Sequence, residues 1–275
     1  MPPQEDPAVT TTHKAIIFED VAISFEGLTI LDGVSLELKR GETKALLGVA
    51  GSGKSTMLKL CLGLMKPDSG RIYVLGHDIT QMREEELFDL RSHIGIVFQE
   101  SALFDSLTVR DNVAFRLMEE KIPEQEIEQR VREALRFVEL EHTLDMLPSE
   151  LSGGMRRRVG IARAIITHPE ILLYDSPTGG LDPITSTTII ELIMKQRDVY
   201  KTSALLVSHR LQDAFMLASH YYDPVEKRMK PVEGTTALRD VLTTFLILKD
   251  GKVIFDGTAQ DLVHADNAYI REYIS

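Results

Sequence analysis

The residues of this chain that are best suited to chemistry lie in a glycine-rich stretch, residues 48–56. A glycine is followed by four residues and then by glycine, lysine and serine, a spacing that wraps the backbone around a phosphate group. In this pattern Lys54 reaches the β- and γ-phosphates and the Ser55 hydroxyl contacts Mg²⁺. An ordinary glycine-rich turn is the alternative. We predict that ATP or a similar triphosphate contacts Gly48, Gly51, Ser52, Gly53, Lys54, Ser55 and Thr56.

The segments around this loop provide the context that phosphate binding needs. Residues 43–47 predict a short buried strand, and residues 55–64 predict a helix. The unpaired N–H groups and the partial positive charge at a helix start attract an anion. A second apolar run, residues 171–174, ends in Asp175, and a carboxylate at such a strand end holds Mg²⁺ in phosphate-loop enzymes. Ser55 and Asp175 are therefore our predicted Mg²⁺ ligands.

The composition is that of an ordinary globular protein, with 43% hydrophobic residues among 275. A net charge of −11 disfavours a nucleic-acid partner, because binding a phosphate backbone needs a basic surface. The single cysteine, Cys61, excludes an internal disulfide, and we expect it to be buried. No apolar run reaches the roughly 18 residues of a membrane-spanning helix, so we expect any membrane role to come through a partner. Residues 1–12 lack the apolar core of a signal peptide.

Hydrophobic patterns along the rest of the chain predict an α/β protein. Residues 108–168 read as helical, with Pro123 at the first position of a helix, and residues 185–196 as a crossover helix. Further strands are expected at residues 15–25, 28–38, 71–75, 94–98 and 204–207, with a hairpin at residues 244–249 and 252–255. The layout is a parallel α/β core with a helical segment inserted between Gln99 and Ile171.

The stretch Leu151, Ser152, Gly153 and Gly154, followed by Met155 and three arginines, identifies a family. It resembles the signature of the ATP-binding subunit of ABC transporters, and the resemblance extends over about residues 15–257. A serine and two glycines at a helix start form an anion site, although an ordinary serine-capped helix is the alternative. The resemblance implies the ABC ATPase architecture: a phosphate-loop core with a parallel sheet, an antiparallel β subdomain and a helical subdomain at about residues 100–168.

In this family, the signature of one copy caps the γ-phosphate held by a second copy, which implies a head-to-tail homodimer. The resemblance assigns further roles by position. Gln99 approaches Mg²⁺ and the attacking water, Asp182 lies in the loop that contacts the opposite subunit, and His209 is the switch histidine on the γ-phosphate. Phe25 lies where the family stacks an aromatic ring on adenine, although it is also a plausible core residue.

The chain departs from the family at the residue after Asp175, where Ser176 replaces the glutamate that polarises the attacking water. Serine is a poor proton acceptor at neutral pH, and a positioned general base contributes about 10²–10⁴-fold in rate. We therefore predict slow ATP hydrolysis, with His209, Asp182 or Glu100 as possible substitutes for the missing base. An unexceptional rate, supported by another residue or by the water network, is the alternative.

Residues 99–115 and 182–185 and the tail at residues 267–273 look similar to the ATPase of the MCE-associated, Mla-type phospholipid-trafficking transporters. That resemblance implies a permease and a periplasmic MCE-type lipid-binding protein as partners, at the cytoplasmic face of the bacterial inner membrane. The motor of an amino-acid or osmolyte importer is the first alternative. A soluble ABC protein of DNA repair or translation and a regulatory ATP-binding module are the others.

The predicted domain organisation is one nucleotide-binding domain at residues 14–262, between a disordered tail at residues 1–13 and a C-terminal tail at residues 263–275. Residues 221–244 are longer than the usual family connection. This segment is expected to be a solvated surface loop or, alternatively, a contact to a partner or to anionic lipid. The apolar positions Tyr269, Ile270 and Tyr273 of the tail have no predictable location, and a contact between subunits is one option.

Overall fold

A computed structural model of the chain describes residues 13–120, 122–232 and 243–274. The strands are β1 (Lys14–Phe25), β2 (Leu28–Lys39), β3 (Thr43–Leu47), β4 (Ser69–Val74), β5 (His77–Asp78), β6 (Ile94–Val97), β7 (Ile171–Asp175), β8 (Ser203–Val207), β9 (His220–Asp223), β10 (Arg228–Pro231), β11 (Thr243–Lys249) and β12 (Lys252–Thr258). The helices are α1 (Lys54–Cys61), α2 (Glu84–Arg91), α3 (Val109–Glu119), α4 (Glu124–Phe137), α5 (Gly153–Ile165), α6 (Pro183–Tyr200), α7 (Leu211–Ser219), α8 (Ala259–Val263) and α9 (Ala268–Ile274). Two short 3₁₀ turns, Glu141–Thr143 and Pro148–Glu150, lie before α5.

The central sheet has six strands in the order β12-β11-β3-β8-β7-β6. All neighbouring strands are parallel except the edge strand β12, which forms an antiparallel hairpin with β11. Every residue of β3 and β8 is buried, as expected for strands covered on both faces. Because the carboxyl ends of parallel strands meet at one edge, the segments that follow β3, β6, β7 and β8 lie along that edge, where ligands bind in open α/β sheets.

A second sheet, in the order β2-β1-β4-β5, is antiparallel throughout. Its apolar face packs with α1 and one face of the central sheet in a single core that includes Phe18, Leu31, Met57 and Leu205. On the other face of the central sheet, α3, α4, α5 and α6 share a core that includes Val113, Leu135, Ile161 and Ile190. The predicted combination of parallel core, antiparallel subdomain and inserted helical subdomain is confirmed.

Several local predictions were shifted by a few residues. The helix after the phosphate loop ends at Cys61, because the chain turns at Gly63, which has a positive φ of 62°. Pro123 is the residue before α4 and not its first residue, and its extended ψ of 138° keeps it outside the helix. Cys61 is buried, as predicted. The strand β5 and helix α2 were not predicted, since a two-residue strand and an acidic eight-residue helix carry little hydrophobic pattern.

The long connection after α7 is not simply a loop. Residues 220–231 form a hairpin of β9 and β10, in which Tyr222 packs into the core and Lys230 bonds Asp223 at 2.7 Å. Residues 233–242 of the segment and most of the predicted N-terminal tail fall outside the described ranges. The C-terminal tail contains α9, with Ile270 almost fully buried against its own chain. In the described parts of the chain, none of the helices is both long and apolar enough to cross a bilayer.

Candidate functional site

The phosphate loop between β3 and α1 has a backbone that only glycine tolerates at its key positions. Gly48, Gly51 and Gly53 have φ values of 141°, 79° and 99°, in the region that side-chain-bearing residues avoid. At Gly48 there is also no room, because a Cβ would come within 2.3 Å of the Leu248 carbonyl oxygen. The predicted phosphate loop therefore has the close backbone geometry that an anion-binding loop requires.

Lys54 points back into this loop. Its ammonium group donates to the carbonyl oxygens of Gly48 at 2.9 Å and Val49 at 2.8 Å, and to Ser52 Oγ at 3.1 Å. Burial lowers the pKa of Lys54, and the nearby Asp175 carboxylate partly opposes that effect. A positive charge held inside a curved backbone is suited to polyphosphate, which would take over the contacts that the carbonyl oxygens now make.

Ser55 and Asp175 meet across the loop, as the sequence predicts. The Ser55 hydroxyl donates to Asp175 Oδ1 at 3.2 Å, so a hydroxyl oxygen and a carboxylate oxygen share one small region. Mg²⁺ accepts such hard oxygen ligands and is usually held by one or two protein groups plus substrate phosphates and waters. Among the residues described, no cluster of three or more His, Cys, Asp or Glu side chains could hold a metal alone. The pair therefore fits Mg²⁺ bound together with ATP.

Ser176 occupies a strained and closed position. Its φ is 47°, its side chain is almost fully buried, and its Oγ atom has no hydrogen-bond partner within the described residues. Its backbone N–H donates to the Val207 carbonyl at 2.9 Å, which ties the end of β7 to β8. No carboxylate is present where the family resemblance expects the general base, and the hydroxyl does not point freely toward the loop.

Arg157, on α5, organises this region and was not predicted as a site residue. Its buried guanidinium donates to the carbonyl oxygens of Phe98 at 3.0 Å, Ser176 at 3.3 Å and Gly179 at 3.3 Å. Burial lowers the pKa of Arg157, and the Glu100 carboxylate opposes this. One side chain thus joins the segments that follow β6 and β7. The run of three arginines was visible in the sequence, but nothing in it showed which arginine turns inward.

His209 lies at the same edge of the sheet, after β8. Burial and the Lys54 charge lower the pKa of His209, while Asp175 and a hydrogen bond to the Gly48 backbone raise it. These interactions indicate that the imidazole lies beside the phosphate loop, and its role at a γ-phosphate stays a prediction. The segment that carries it is anchored by Asp213, which accepts a hydrogen bond from the buried hydroxyl of Thr178.

The signature residues form a separate exposed surface. Ser152 caps α5 by accepting a hydrogen bond from the Met155 N–H at 3.2 Å, and Leu151 is buried behind it. Gly154 packs against the start of α6, where a Cβ would lie 2.5 Å from Thr185 Cγ2. Asp182 caps α6 through the N–H groups of Ile184 and Thr185, each at 3.0 Å. Within the described residues, no hydrogen bond joins the signature to residues 48–56.

Two predicted site residues are accessible without a defined contact to the loop. Gln99 is exposed, and its Cγ atom would lie 3.7 Å from a Cβ built on Gly179. It therefore lies next to Gly179, whose carbonyl oxygen accepts a hydrogen bond from Arg157. Phe25 ends β1 opposite Leu28, and 41% of its surface is exposed. The exposed ring is free to stack on a flat base, and its adenine-binding role stays a prediction.

Comparison with known proteins gives consistent findings. A family model described as "ABC transporter" matches residues 31–179, which is over half of the chain. The chain is 37% identical over 264 residues to the Arabidopsis thaliana protein TRIGALACTOSYLDIACYLGLYCEROL 3, chloroplastic, covering 92% of this chain and 71% of that protein. It is 33% identical over 246 residues to the intermembrane phospholipid transport system ATP-binding protein MlaF of Haemophilus influenzae, covering 89% and 84%.

Another relative carries a different description. The chain is 40% identical over 200 residues to the methionine import ATP-binding protein MetN of Carboxydothermus hydrogenoformans, covering 72% of this chain and 59% of that protein. The fold also matches a dimeric post-hydrolysis structure of the ATP-binding cassette MJ0796 bound to ADP and Pi, with a TM-score of 0.73, 29% identity, and coverage of 88% and 98%. With its phosphate loop, acidic strand end and signature serine on this fold, the chain belongs to the ABC transporter family, as an ATP-hydrolysing motor subunit.

Proposed function

We propose that two copies of this chain close head to tail on ATP and drive a lipid transporter. The dimer is supported by the position of the signature surface, which is exposed and, in the part of the chain that the structure describes, makes no hydrogen bond to its own phosphate loop. Ser152 and the N–H groups at the start of α5 are therefore free to face a triphosphate held by another copy. The ATP-binding cassette of similar fold is described as dimeric.

The observation that carries the lipid assignment is a pair of relatives whose names refer to lipids. The plant protein and MlaF align over 92% and 89% of this chain, and their names refer to a galactolipid and to intermembrane phospholipid transport. We infer a phospholipid or a related lipid as the cargo. In this proposal the chain lies at the cytoplasmic face of a bacterial inner membrane, held there by permease subunits, and a periplasmic MCE-type protein handles the lipid.

A shallow groove beside β6 supplies a docking surface for the permease. Phe104 and Phe115 are 43% and 40% exposed, and their ring centroids lie 4.7 Å apart. Arg163 supports the groove floor, because its guanidinium donates to the carbonyl oxygens of Ser101 and Ala102, both at 2.7 Å. An apolar groove of this kind accepts a short helix of a partner, which supports the contact that we predicted at residues 99–115.

An importer of a small solute is the second candidate. It is favoured by MetN, whose 40% identity exceeds the 33% of MlaF over a shorter part of this chain. It is also favoured by the probable sulfate/thiosulfate import ATP-binding protein CysA of Chlorella vulgaris, which is 35% identical over 94% of this chain. The length of a match therefore does not separate the two candidates. The two candidates share the ATP site and the permease groove, and they differ only in what the permease carries.

We further propose slow hydrolysis, with Glu100 as the group that replaces the missing glutamate. Asp182 is a poor candidate, since it is committed to capping α6 and its hydrogen bonds to Thr185 and Ile184 lower its pKa. His209 is less suited than Glu100, since its imidazole interacts with the Gly48 backbone. Glu100 is exposed, follows Gln99, and interacts with Arg157, which bonds the Ser176 carbonyl. In this proposal the Glu100 carboxylate accepts the proton of the attacking water in place of the missing glutamate.

A purification from solubilised membranes distinguishes the cargo candidates. The tagged chain is isolated with its permease, and extracted lipids are compared with those of a matched sample in which Phe104→Asp and Phe115→Asp break the groove. Enrichment of phospholipid with the intact groove, together with lipid-stimulated ATPase activity, supports the lipid transporter. ATPase stimulation by methionine or another small solute, without lipid enrichment, would identify the second candidate instead.

A further inference from the structure

The C-terminal helix α9 reaches the phosphate loop of its own chain. The Tyr273 hydroxyl accepts a hydrogen bond from the backbone N–H of Gly48 at 3.1 Å, across 225 positions of sequence. Gly48 directly follows β3, whose pairing with β11 ends at Leu47 and Ile247. The tyrosine thus supplies the acceptor for the first N–H beyond the strand ladder.

Gly48 is bonded by two side chains that come from different helices. Its carbonyl oxygen accepts from Lys54 Nζ at 2.9 Å, and its N–H donates to the Tyr273 hydroxyl oxygen at 3.1 Å. The backbone is closely packed here, since a Cβ on Gly48 would lie 2.3 Å from the Leu248 carbonyl oxygen. The first residue of the loop is therefore bonded both by the lysine that is predicted to reach phosphate and by the C-terminal helix.

The helix that carries Tyr273 is firmly attached. Ile270 is 2% exposed and packs in a core with Leu47, Ile247 and Leu262. The Tyr269 ring stacks on the Tyr273 ring at a centroid distance of 6.1 Å, and Lys249 Nζ lies 4.1 Å above the Tyr269 ring. Burial raises the pKa of Tyr273, and the bond from the Gly48 N–H partly opposes that effect.

We propose that Tyr273 is a positioning residue of the phosphate loop, through which the C-terminal helix sets the affinity of the chain for nucleotide. When a triphosphate arrives, Lys54 must leave the carbonyl oxygens of Gly48 and Val49 and turn toward the phosphates. The Tyr273 bond keeps Gly48 in place during that exchange. Because the loop is already ordered, it loses less conformational entropy when the nucleotide binds. Pre-organisation of this kind strengthens binding.

The test is a Tyr273→Phe variant of the full chain, without permease, titrated with ADP by calorimetry and assayed for ATPase activity. The lost hydrogen bond should raise the Kd for ADP and the KM for ATP by about 3- to 10-fold. The kcat should stay within about 2-fold, because the groups that contact the reacting phosphate are unchanged. The matched control is Tyr269→Phe, on the same helix. It removes a buried hydroxyl that has no hydrogen-bond partner among the described residues. It should leave the Kd unchanged.

Hydrogen exchange gives a readout that a purely structural role would not move. If docking of α9 strengthens nucleotide binding to the chain, nucleotide must strengthen the docking of α9 by the same factor, because coupling between two equilibria is reciprocal. ADP should therefore slow exchange at the amides of residues 268–274 in the wild-type chain and in Tyr269→Phe, and should do so much less in Tyr273→Phe.

A second variant keeps the proposal testable if Tyr273→Phe has broader effects. Ile270→Asp should undock α9 and weaken nucleotide binding to the same extent, with no further loss when Tyr273→Phe is added. Equal Kd values for wild type and Tyr273→Phe would overturn the proposal. Tighter binding in Ile270→Asp, or the same loss in Tyr269→Phe as in Tyr273→Phe, would overturn it as well. None of these outcomes depends on which cargo the transporter carries.

Discussion

At the scale of single residues, the chemistry of this chain depends on Ser176 and its neighbours. The predicted phosphate-binding groups are all present, with Lys54 in the loop and Ser55 beside Asp175. A proton acceptor is missing at the position after Asp175, because the Ser176 hydroxyl is neutral and buried. A site of this kind should bind ATP well and hydrolyse it slowly, and a wild-type turnover of tens per second would contradict that expectation.

We predict that Ser176→Glu raises kcat by about 10²-fold, since it restores a carboxylate at the position of the general base. Glu100→Gln should lower the wild-type kcat about 10-fold or more, because it removes the substitute. In the Ser176→Glu background, Glu100→Gln should change kcat less than about 2-fold, since the restored carboxylate then does the work. Phosphate release under saturating ATP measures all four proteins.

The matched control for this cycle is Glu85→Gln, which removes an exposed carboxylate on α2 that pairs with Arg83 and takes no part in the Arg157 contacts described above. It should leave kcat unchanged in both backgrounds. If the losses caused by Glu100→Gln are equal with and without Ser176→Glu, Glu100 is not the substitute base.

The lowered pKa of His209 predicts a pH effect on stability. Its pKa lies below the ordinary value of 6.5, so in the acid range the unfolded chain binds this proton more readily than the folded chain does. The contribution of His209 must therefore weaken the fold as the pH falls below about 6.5. We expect the free energy of unfolding, measured by urea titration without nucleotide, to fall more in wild type than in His209→Gln when the pH is lowered from about 7 to about 5.

A control with His77→Gln, an exposed histidine on β5, accounts for the general effect of removing an imidazole. A difference between wild type and His209→Gln that grows as the pH falls, beyond that of the control, is the expected result. If His209→Gln instead loses ground to wild type on acidification, the pKa of His209 is raised by the fold, and its environment differs from the one described.

At the scale of elements, buried strands and helix starts position the site. The strand β7 carries Asp175 out of a core in which Tyr174 is fully buried. The Tyr174 hydroxyl has no hydrogen-bond partner among the described residues, and burial raises its pKa well above the usual range. A buried hydroxyl without a partner costs stability, so this strand is less stable than its packing alone would allow.

We predict that Tyr174→Phe stabilises the chain by about 1 kcal/mol, because it removes the unpaired hydroxyl and keeps the ring. For a chain of this size the Tm should rise by roughly 2–4 °C. Thr178→Val is the contrasting variant, since it removes a buried hydroxyl that bonds Asp213, and it should destabilise the chain by about 1–3 kcal/mol. A loss of stability in Tyr174→Phe would show that the tyrosine hydroxyl has a partner such as a buried water.

The strands and helices with strong patterns were predictable, and the exceptions are physically informative. The apolar runs of β3, β7 and β8 are specified locally, because strands covered on both faces need continuous hydrophobic residues. The hairpin of β9 and β10 could not be predicted in this way. Its alternation of polar and apolar residues is weak. Its position depends on a different element, because the Tyr222 N–H donates to the Asp198 carboxylate of α6 at 2.8 Å. Whether residues 221–244 contact a partner stays a prediction.

At the scale of the whole molecule, the proposed dimer depends on the charge of the signature surface. Gly153 starts α5 in an exposed position, and a Cβ there would meet neighbouring atoms only at 3.9 Å or more, so a side chain fits without strain. An aspartate near the start of a helix is even favourable for the helix. The same negative charge would face the triphosphate of the second copy.

We predict that Gly153→Asp retains the Tm of wild type but abolishes the dimer that forms with ATP, together with most ATPase activity. Light scattering with and without ATP and Mg²⁺ measures the association. Gly153→Asn has nearly the same size without the charge, and it should keep a substantial part of both properties. If the two variants lose the dimer equally, size and not charge decides. If neither loses it, the signature does not face nucleotide.

The sequence alone determined the phosphate loop, the acidic end of β7, the signature and the departure at Ser176, because each depends on residue types a few positions apart. It also determined the fold class, since covered strands and amphipathic helices carry their burial pattern locally. Only the tertiary structure decided that Arg157 gathers the carbonyl groups around Ser176 and that Tyr273 holds Gly48. Such contacts join segments up to 225 positions apart, and their geometry is set by how whole elements pack.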